Sequence, residues 1–138
     1  MTAKFTKNHT KNETKKSDST LGIYFNQIKS FPLLDFKQEL ELSKRIQKGD
    51  KTALQKLVNS NLRLVIKIAR AYVSSETQLM DLIQEGNMGL MHAAKKYDFR
   101  KNVRFCTYSS YWIRQYIHRY LSNKSRIMRI PQRQEHYS

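Results

Sequence analysis

From about Ser19 onward the apolar residues fall three and four apart, the spacing of one helix face, and no stretch alternates with period two for long. The pattern predicts five helices and no sheet. The first runs near Leu21 to Lys29 and stops before Phe31-Pro32, because the residue preceding a proline is pushed out of the helical region. Asp35 is placed to cap a second helix, "FKQELELSKRIQK", which Gly49 closes. Asp50 opens a third, with Leu54, Leu57, Val58, Leu62, Val65, Ile68, Ala69 and Tyr72 at helical spacing. After the loop "SSET" a fourth helix covers Gln78 to Lys96, and after "YDFRKNV" a fifth covers roughly Thr107 to Asn123. The predicted fold is all-α, a compact helical bundle of about five helices. A disordered basic arm over residues 1–18 precedes the helical domain at 19–131, and a short tail follows over 132–138.

The last two helices carry unusual outer faces. On the fourth, Leu79, Leu82, Ile83, Gly86, Leu90, Ala93 and Ala94 share the predicted core face. A mid-helix glycine costs about 1 kcal/mol against alanine, so Gly86 there implies close approach of another backbone. The opposite face holds Asp81, Gln84, Glu85, Met88, Met91 and His92. Methionines among exposed polar groups suit a partner surface, although packing at the edge of the core accounts for them equally well. The fifth helix lies in "RFCTYSSYWIRQYIHRY", which packs six aromatics, three arginines and a histidine into one run without an acid. Cys106, Ser110, Ile113, Ile117, Tyr120 and Leu121 form its predicted core face, and Tyr108, Tyr111, Trp112, Gln115 and Arg119 point the other way.

Composition says what such a face is for. The chain has 138 residues, a formal net charge of +15 and a pI near 10.1. That balance points to a polyanion, nucleic acid or an anionic membrane surface. From Lys95 to Arg133 there are eleven Lys or Arg and one acid, Asp98. Rings on a basic surface suit single-stranded nucleic acid: stacking contributes about 1–3 kcal/mol per base whatever its identity, and cations neutralise the phosphates. No window reaches the roughly 20 apolar residues of a membrane span, and no apolar leader opens the chain, so a cytoplasmic location is expected. Cys106 is the single cysteine, and His9, His92, His118 and His136 are scattered without ligand spacing. With no phosphate loop and no carboxylate pair in an apolar setting, the expectation is a binding protein rather than an enzyme, with no metal and no cofactor.

Four stretches, "NLRLVIKIARAYV", "LMDLIQEGNMGLMHAAKKYDF", "VRFCTYSSYWIRQYIHRYL" and "RIMRIP", closely resemble region 2 of the bacterial sigma-70 family. The helical stretch before them resembles that family's region 1.2. The resemblance covers about Ser19 to Pro131. It implies docking on a coiled coil in the largest subunit of core RNA polymerase, through Asp81, Gln84, Glu85, Asn87 and Met91 with Asn61 and Arg63 nearby. It also implies recognition and opening of the promoter −10 element, with a non-template adenine flipped out of the duplex and held by aromatics. The implied DNA-binding residues are Arg104, Phe105, Thr107, Tyr108, Tyr111, Trp112, Gln115, His118 and Arg119. Tyr24 and Phe25 fall where the family contacts DNA just downstream. An anti-sigma factor is a further partner the family admits.

The match departs from the housekeeping pattern. Tyr111-Trp112 stands where two tryptophans are usual, Val103 where an aromatic is usual, and His118 where a small or hydroxyl residue is usual. These features are closer to alternative sigmas. The family continues into region 3 and a helix-turn-helix region 4, which this sequence lacks, so it is either a fragment or a truncated product. Two other readings fit the residues: a sigma-like regulator that occupies polymerase without directing initiation, and a general basic single-strand binder.

Overall fold

The computed structural model describes residues 20–75 and 77–128, the side chains of 125–128 excepted. The predicted arm at 1–18 and the basic end from Arg129 onward lie outside the described residues. The chain divides into two compact units, Met1–Pro32 and Leu33–Ser138. Among its described residues the first contains one helix, α1, over residues 20–29. It ends in a turn where the Ser30 hydroxyl and N–H both donate to the Gln27 carbonyl, at 2.6 and 3.2 Å.

Among its described residues the second unit is a bundle of five α-helices: α2 (Phe36–Gln47), α3 (Lys51–Asn59), α4 (Leu62–Arg70), α5 (Leu79–Lys96) and α6 (Phe105–Met128). Residues Phe99–Lys101 form a single 3₁₀ turn between α5 and α6, and no strand occurs among the described residues. Local chemistry sets the first boundaries. Asp35 accepts from the Gln38 N–H at 2.8 Å while its own N–H donates to Gln38 Oε1 at 2.9 Å, a reciprocal cap on α2. Lys48 is the C-cap, and Gly49 follows in the left-handed region at φ 94°, where a Cβ is strained. Asp50 accepts from the Ala53 N–H and pairs with Arg45 at 2.8 Å, and these two contacts hold its carboxyl below the usual value.

The third predicted helix is two. Its apolar spacing runs unbroken through Leu57, Val58, Leu62 and Val65, but the backbone turns at Ser60-Asn61. There the Ser60 hydroxyl donates to the Leu57 carbonyl at 3.0 Å and the Asn61 amide to the same oxygen at 2.8 Å. Side chains that satisfy a carbonyl in this way compete with the helical ladder. All eight apolar positions still face inward to some degree, and Leu57 and Val65 are fully buried.

The core forms where α5 and α6 pack on each other and on α4, around Val65, Leu82, Ile83, Leu90, Phe105, Ile113 and Ile117. Close approach is real, but Gly89 provides more of it than Gly86. A Cβ at Gly89 would lie 2.6 Å from the Trp112 carbonyl oxygen and 3.0 Å from the Ile113 Cα, so the backbone of α6 rests on this residue. At Gly86 the obstructing atoms are side chains, Val65 Cγ1 at 2.6 Å and Ile113 Cγ2 at 3.3 Å.

Candidate nucleic-acid and partner interface

The fifth predicted helix is α6, and it is turned from its expected orientation. The fully buried row is Phe105, Ser109, Ile113 and Ile117, four residues apart. The expected core face centred instead between Cys106 and Ser110, and both of these are only half-buried. The rotation is roughly a sixth of a turn at 100° per residue. Phe105 is therefore corrected: expected to face DNA, its ring is 0 % exposed and presents nothing to a base.

Helix α6 also begins two residues early, at Phe105, and the cause lies on α2. Glu39, 2 % exposed, accepts the Phe105 N–H at 3.3 Å and a two-pronged contact from Arg104, at 2.9 and 3.2 Å. A carboxylate at a helix N-terminus satisfies a donor that has no partner within the helix. Glu39 holds the Arg104 guanidinium, which also lies 5.8 Å from the Phe36 ring centroid. Nothing in the linear reading singled Glu39 out, although it sits in the buried line of α2 with Leu42 and Ser43.

Just upstream, Asp98 caps the 3₁₀ turn, and the Arg100 guanidinium and N–H, both 3.0 Å away, hold its carboxyl below the ordinary range. Asn102, at φ 56°, then turns the chain into α6. Tyr97 anchors this loop from below. Its hydroxyl donates to the Val103 carbonyl, and its ring meets Phe105 edge-on at 5.2 Å. Burial, reinforced by the nearby Glu39 carboxylate, pushes the Tyr97 phenol up to about 12.

On the outer side of α6, Thr107, Tyr111, Gln115, His118 and Arg119 are exposed, Tyr111 at 57 %. Tyr108 and Trp112 are half-buried at the border of that face. Tyr108 leans on Tyr97 at 5.9 Å. Trp112 lies against the His92 imidazole of α5 at 4.1 Å, with the edge of Tyr111 at 5.4 Å. Tyr116 continues the run: its hydroxyl is 3.1 Å from His92 Nδ1, and Arg119 lies 5.2 Å over its ring. His118 Nε2 is 2.9 Å from the hydroxyl of Tyr72, just past α4. Of the implied DNA-binding residues, the structure thus brings Thr107, Tyr108, Tyr111, Trp112, Gln115, His118 and Arg119 onto one side of α6. Tyr24 and Phe25 are on α1 in the other unit, with ring centroids 6.3 Å apart.

The polar and methionine-bearing face of α5 is present. Asp81, Gln84 and Met88 are exposed, Met88 at 56 %, and Glu85, Asn87 and Met91 are half-buried. Asn61 serves the α3–α4 turn, and Arg63 is half-buried on the first turn of α4. Between the outer faces of α5 and α6 runs a groove of about 470 Å³ that Glu85, Met88, Tyr116 and Tyr120 help to line. Burial first, then Asp81 and Glu85, raises the Tyr120 phenol. Among the described residues no three His, Cys, Asp or Glu side chains gather to hold a metal, and no helix is long and apolar enough to cross a membrane.

Comparison with known proteins gives the family. The family model for sigma-70 region 2 matches residues 57–127, and that for sigma-70 factor region 1.2 matches residues 19–52. RNA polymerase sigma factor RpoS of Coxiella burnetii is 46 % identical over 119 residues, which are 86 % of this chain and 34 % of that protein. RNA polymerase sigma factor SigA of Clostridium acetobutylicum is 45 % identical over 114 residues, 83 % of this chain and 30 % of that protein. The chain spans about a third of the length of these curated relatives. Matched over half its length by region 2 and over a further segment by region 1.2, the chain belongs to the sigma-70 family.

Proposed function

We propose that this chain docks on core RNA polymerase and captures the separated non-template strand of a promoter −10 element, the promoter-opening part of a sigma factor's work. The observation that carries the reading is the outer side of α6. Tyr111 is exposed, with Tyr108 and Trp112 half-open beside it, over a complete buried row of Phe105, Ser109, Ile113 and Ile117. Aromatics needed only for the core would not stand outside a core face that is already filled. Opening a duplex costs a few kcal/mol for each flipped base. Stacking on these rings and phosphate contacts from Arg114, Arg119 and the Arg100-Lys101 loop offset that cost, and only for a strand already separated. Capture then drives opening without nucleotide hydrolysis.

Docking is assigned to the outer face of α5, with Asp81, Gln84, Glu85, Asn87 and Met91, and to Asn61 and Arg63 by family match. The largest-subunit coiled coil is the proposed partner there, and an anti-sigma factor would compete for the same face. Gln84 is exposed, so Gln84→Arg tests docking without disturbing the core. Core polymerase should be retained by the wild type and lost by the variant, and equal retention would overturn the assignment. Transcription with core enzyme on promoters with and without a −35 element separates initiation from mere occupancy of polymerase. DNA affinity should fall roughly tenfold or more between 50 and 200 mM salt. A flat response would mean that the charge lies away from the binding surface.

A further inference from the structure

The chain has one tryptophan, Trp112, and its nearest aromatic neighbour is not on its own helix. The His92 imidazole of α5 lies against the indole with centroids 4.1 Å apart and planes 34° from parallel. The contact is close and tilted, whereas Tyr111 meets the same indole edge-on at 5.4 Å. The imidazole is itself fixed. Its Nδ1 lies 3.1 Å from the Tyr116 hydroxyl, and the two rings are 5.8 Å apart. The Arg119 guanidinium lies over the Tyr116 ring, 5.2 Å from its centroid. Trp112 therefore has a polar ring against it and stays half-buried.

We infer that His92 is a positioning residue for strand capture: it sets the orientation of the Trp112 ring, and through its protonation the strength with which that ring holds an unstacked base. The inference rests on the strand-capture reading above. Physical chemistry supplies both states. Neutral, with the proton on Nε2, the imidazole accepts the Tyr116 hydroxyl hydrogen at Nδ1 and offers the indole a flat π-face. Protonated, it donates from Nδ1 to the Tyr116 oxygen and places a cation on the indole face, an attraction that tightens the ring against α5. The groups around it are few. From α6 come the Tyr116 phenol and, beyond it, Arg119. On α5, Lys95 and Lys96 follow one turn later, and Glu85 lies two turns earlier. A ring pinned in one orientation has already lost the rotational freedom that a base would otherwise have to remove, so pinning strengthens stacking.

The single tryptophan makes the test direct, because all tryptophan emission comes from Trp112. An imidazolium against an indole quenches it, so wild-type emission should be lower at about pH 5.5 than at about pH 8. His92→Phe, which keeps a flat ring and loses the proton, should show no such step. Titration with a labelled twelve-nucleotide oligo(dA) gives the second readout. His92→Ala should weaken binding by about threefold to tenfold, a stacking-sized effect. His92→Phe should stay within about twofold of wild type at pH 8 and lose the gain in affinity that wild type shows at pH 5.5. Using His92→Phe as the control removes contributions from His118 and from the bases themselves. If wild type and His92→Phe titrate alike, or if His92→Ala binds as wild type does, the inference is overturned. Should His92→Ala unfold, the emission titration of the wild type and of His92→Phe decides alone. If instead Trp112→Ala binds oligo(dA) as well as wild type, the strand-capture reading fails and takes the role of His92 with it, even where the emission step persists.

Discussion

Two aromatic clusters lie within a few residues of each other and are built from the same kinds of side chain, yet they do different things. The first, Tyr97 with Phe105, is sealed beneath the loop that leads into α6, and the half-buried Tyr108 leans on it. The second, Tyr111, Trp112, His92 and Tyr116, runs along the open side of the α5–α6 pair. The sealed cluster fixes where α6 begins, together with the Glu39 carboxylate, and the open one uses the helix so fixed. The contrast teaches that ring type says little about role. What decides is whether a neighbouring element has already covered the ring, and that depends on the rotation of one helix by part of a turn.

The comparison breaks most visibly at Phe105. Phe105→Ala removes a fully buried ring, and thermal or denaturant unfolding should show a loss of about 3–5 kcal/mol. Should the variant melt like wild type, Phe105 is not the core residue described here. Glu39→Ala comes next, because it strips a helix N-terminal N–H of its acceptor and leaves Arg104 without its carboxylate. Roughly 2 kcal/mol of stability should disappear in urea titrations. DNA affinity per folded molecule should change much less, which distinguishes a structural clamp from a phosphate contact. In the open cluster the balance reverses. Tyr111→Ala should leave the unfolding midpoint nearly unchanged while weakening single-strand binding by about 1–3 kcal/mol, measured by anisotropy. A large drop in stability with unchanged affinity would place Tyr111 in the wrong cluster.

The smallest effect is one of pH. The folded-state phenol of Tyr97 is raised to about 12 from an ordinary value near 10, so folding favours its protonated form. The sign follows: this contribution is complete below about pH 10 and is lost as pH climbs towards 12. Melting curves across that window should fall more steeply for wild type than for Tyr97→Phe. At neutral pH the variant should pay only for the missing hydrogen bond to the Val103 carbonyl, about 1 kcal/mol.

Much of the bundle could be read from the chain because its determinants are local. Asp35 and Asp50 announce their helices within three residues of the groups they cap, and the outer face of α5 follows from its own periodicity. The break at Ser60-Asn61 is hidden, since the apolar spacing carries straight across it and only two side-chain hydrogen bonds reveal it. The orientation of α6 is hidden for a different reason. Its small residues Cys106, Ser109 and Ser110 fit either side, so contacts with other helices decide, and they choose Ser109. Glu39 left one trace, an acid in line with the buried positions of α2, while the pairing of His92 with Trp112 left none. That pairing depends on the register between two helices, which the Gly86 and Gly89 spacing suggests without fixing.

At Gly89 the carbonyl of Trp112 sits where a side chain would otherwise stand. Most neighbouring helices are separated by a layer of side chains that can tilt or change rotamer, and that layer absorbs small displacements. Here the layer is missing at one point, and two backbones bear directly on each other. At this point the spacing of α5 and α6 is therefore set by backbone atoms rather than by rotamers, the way a bolted joint differs from a sprung one.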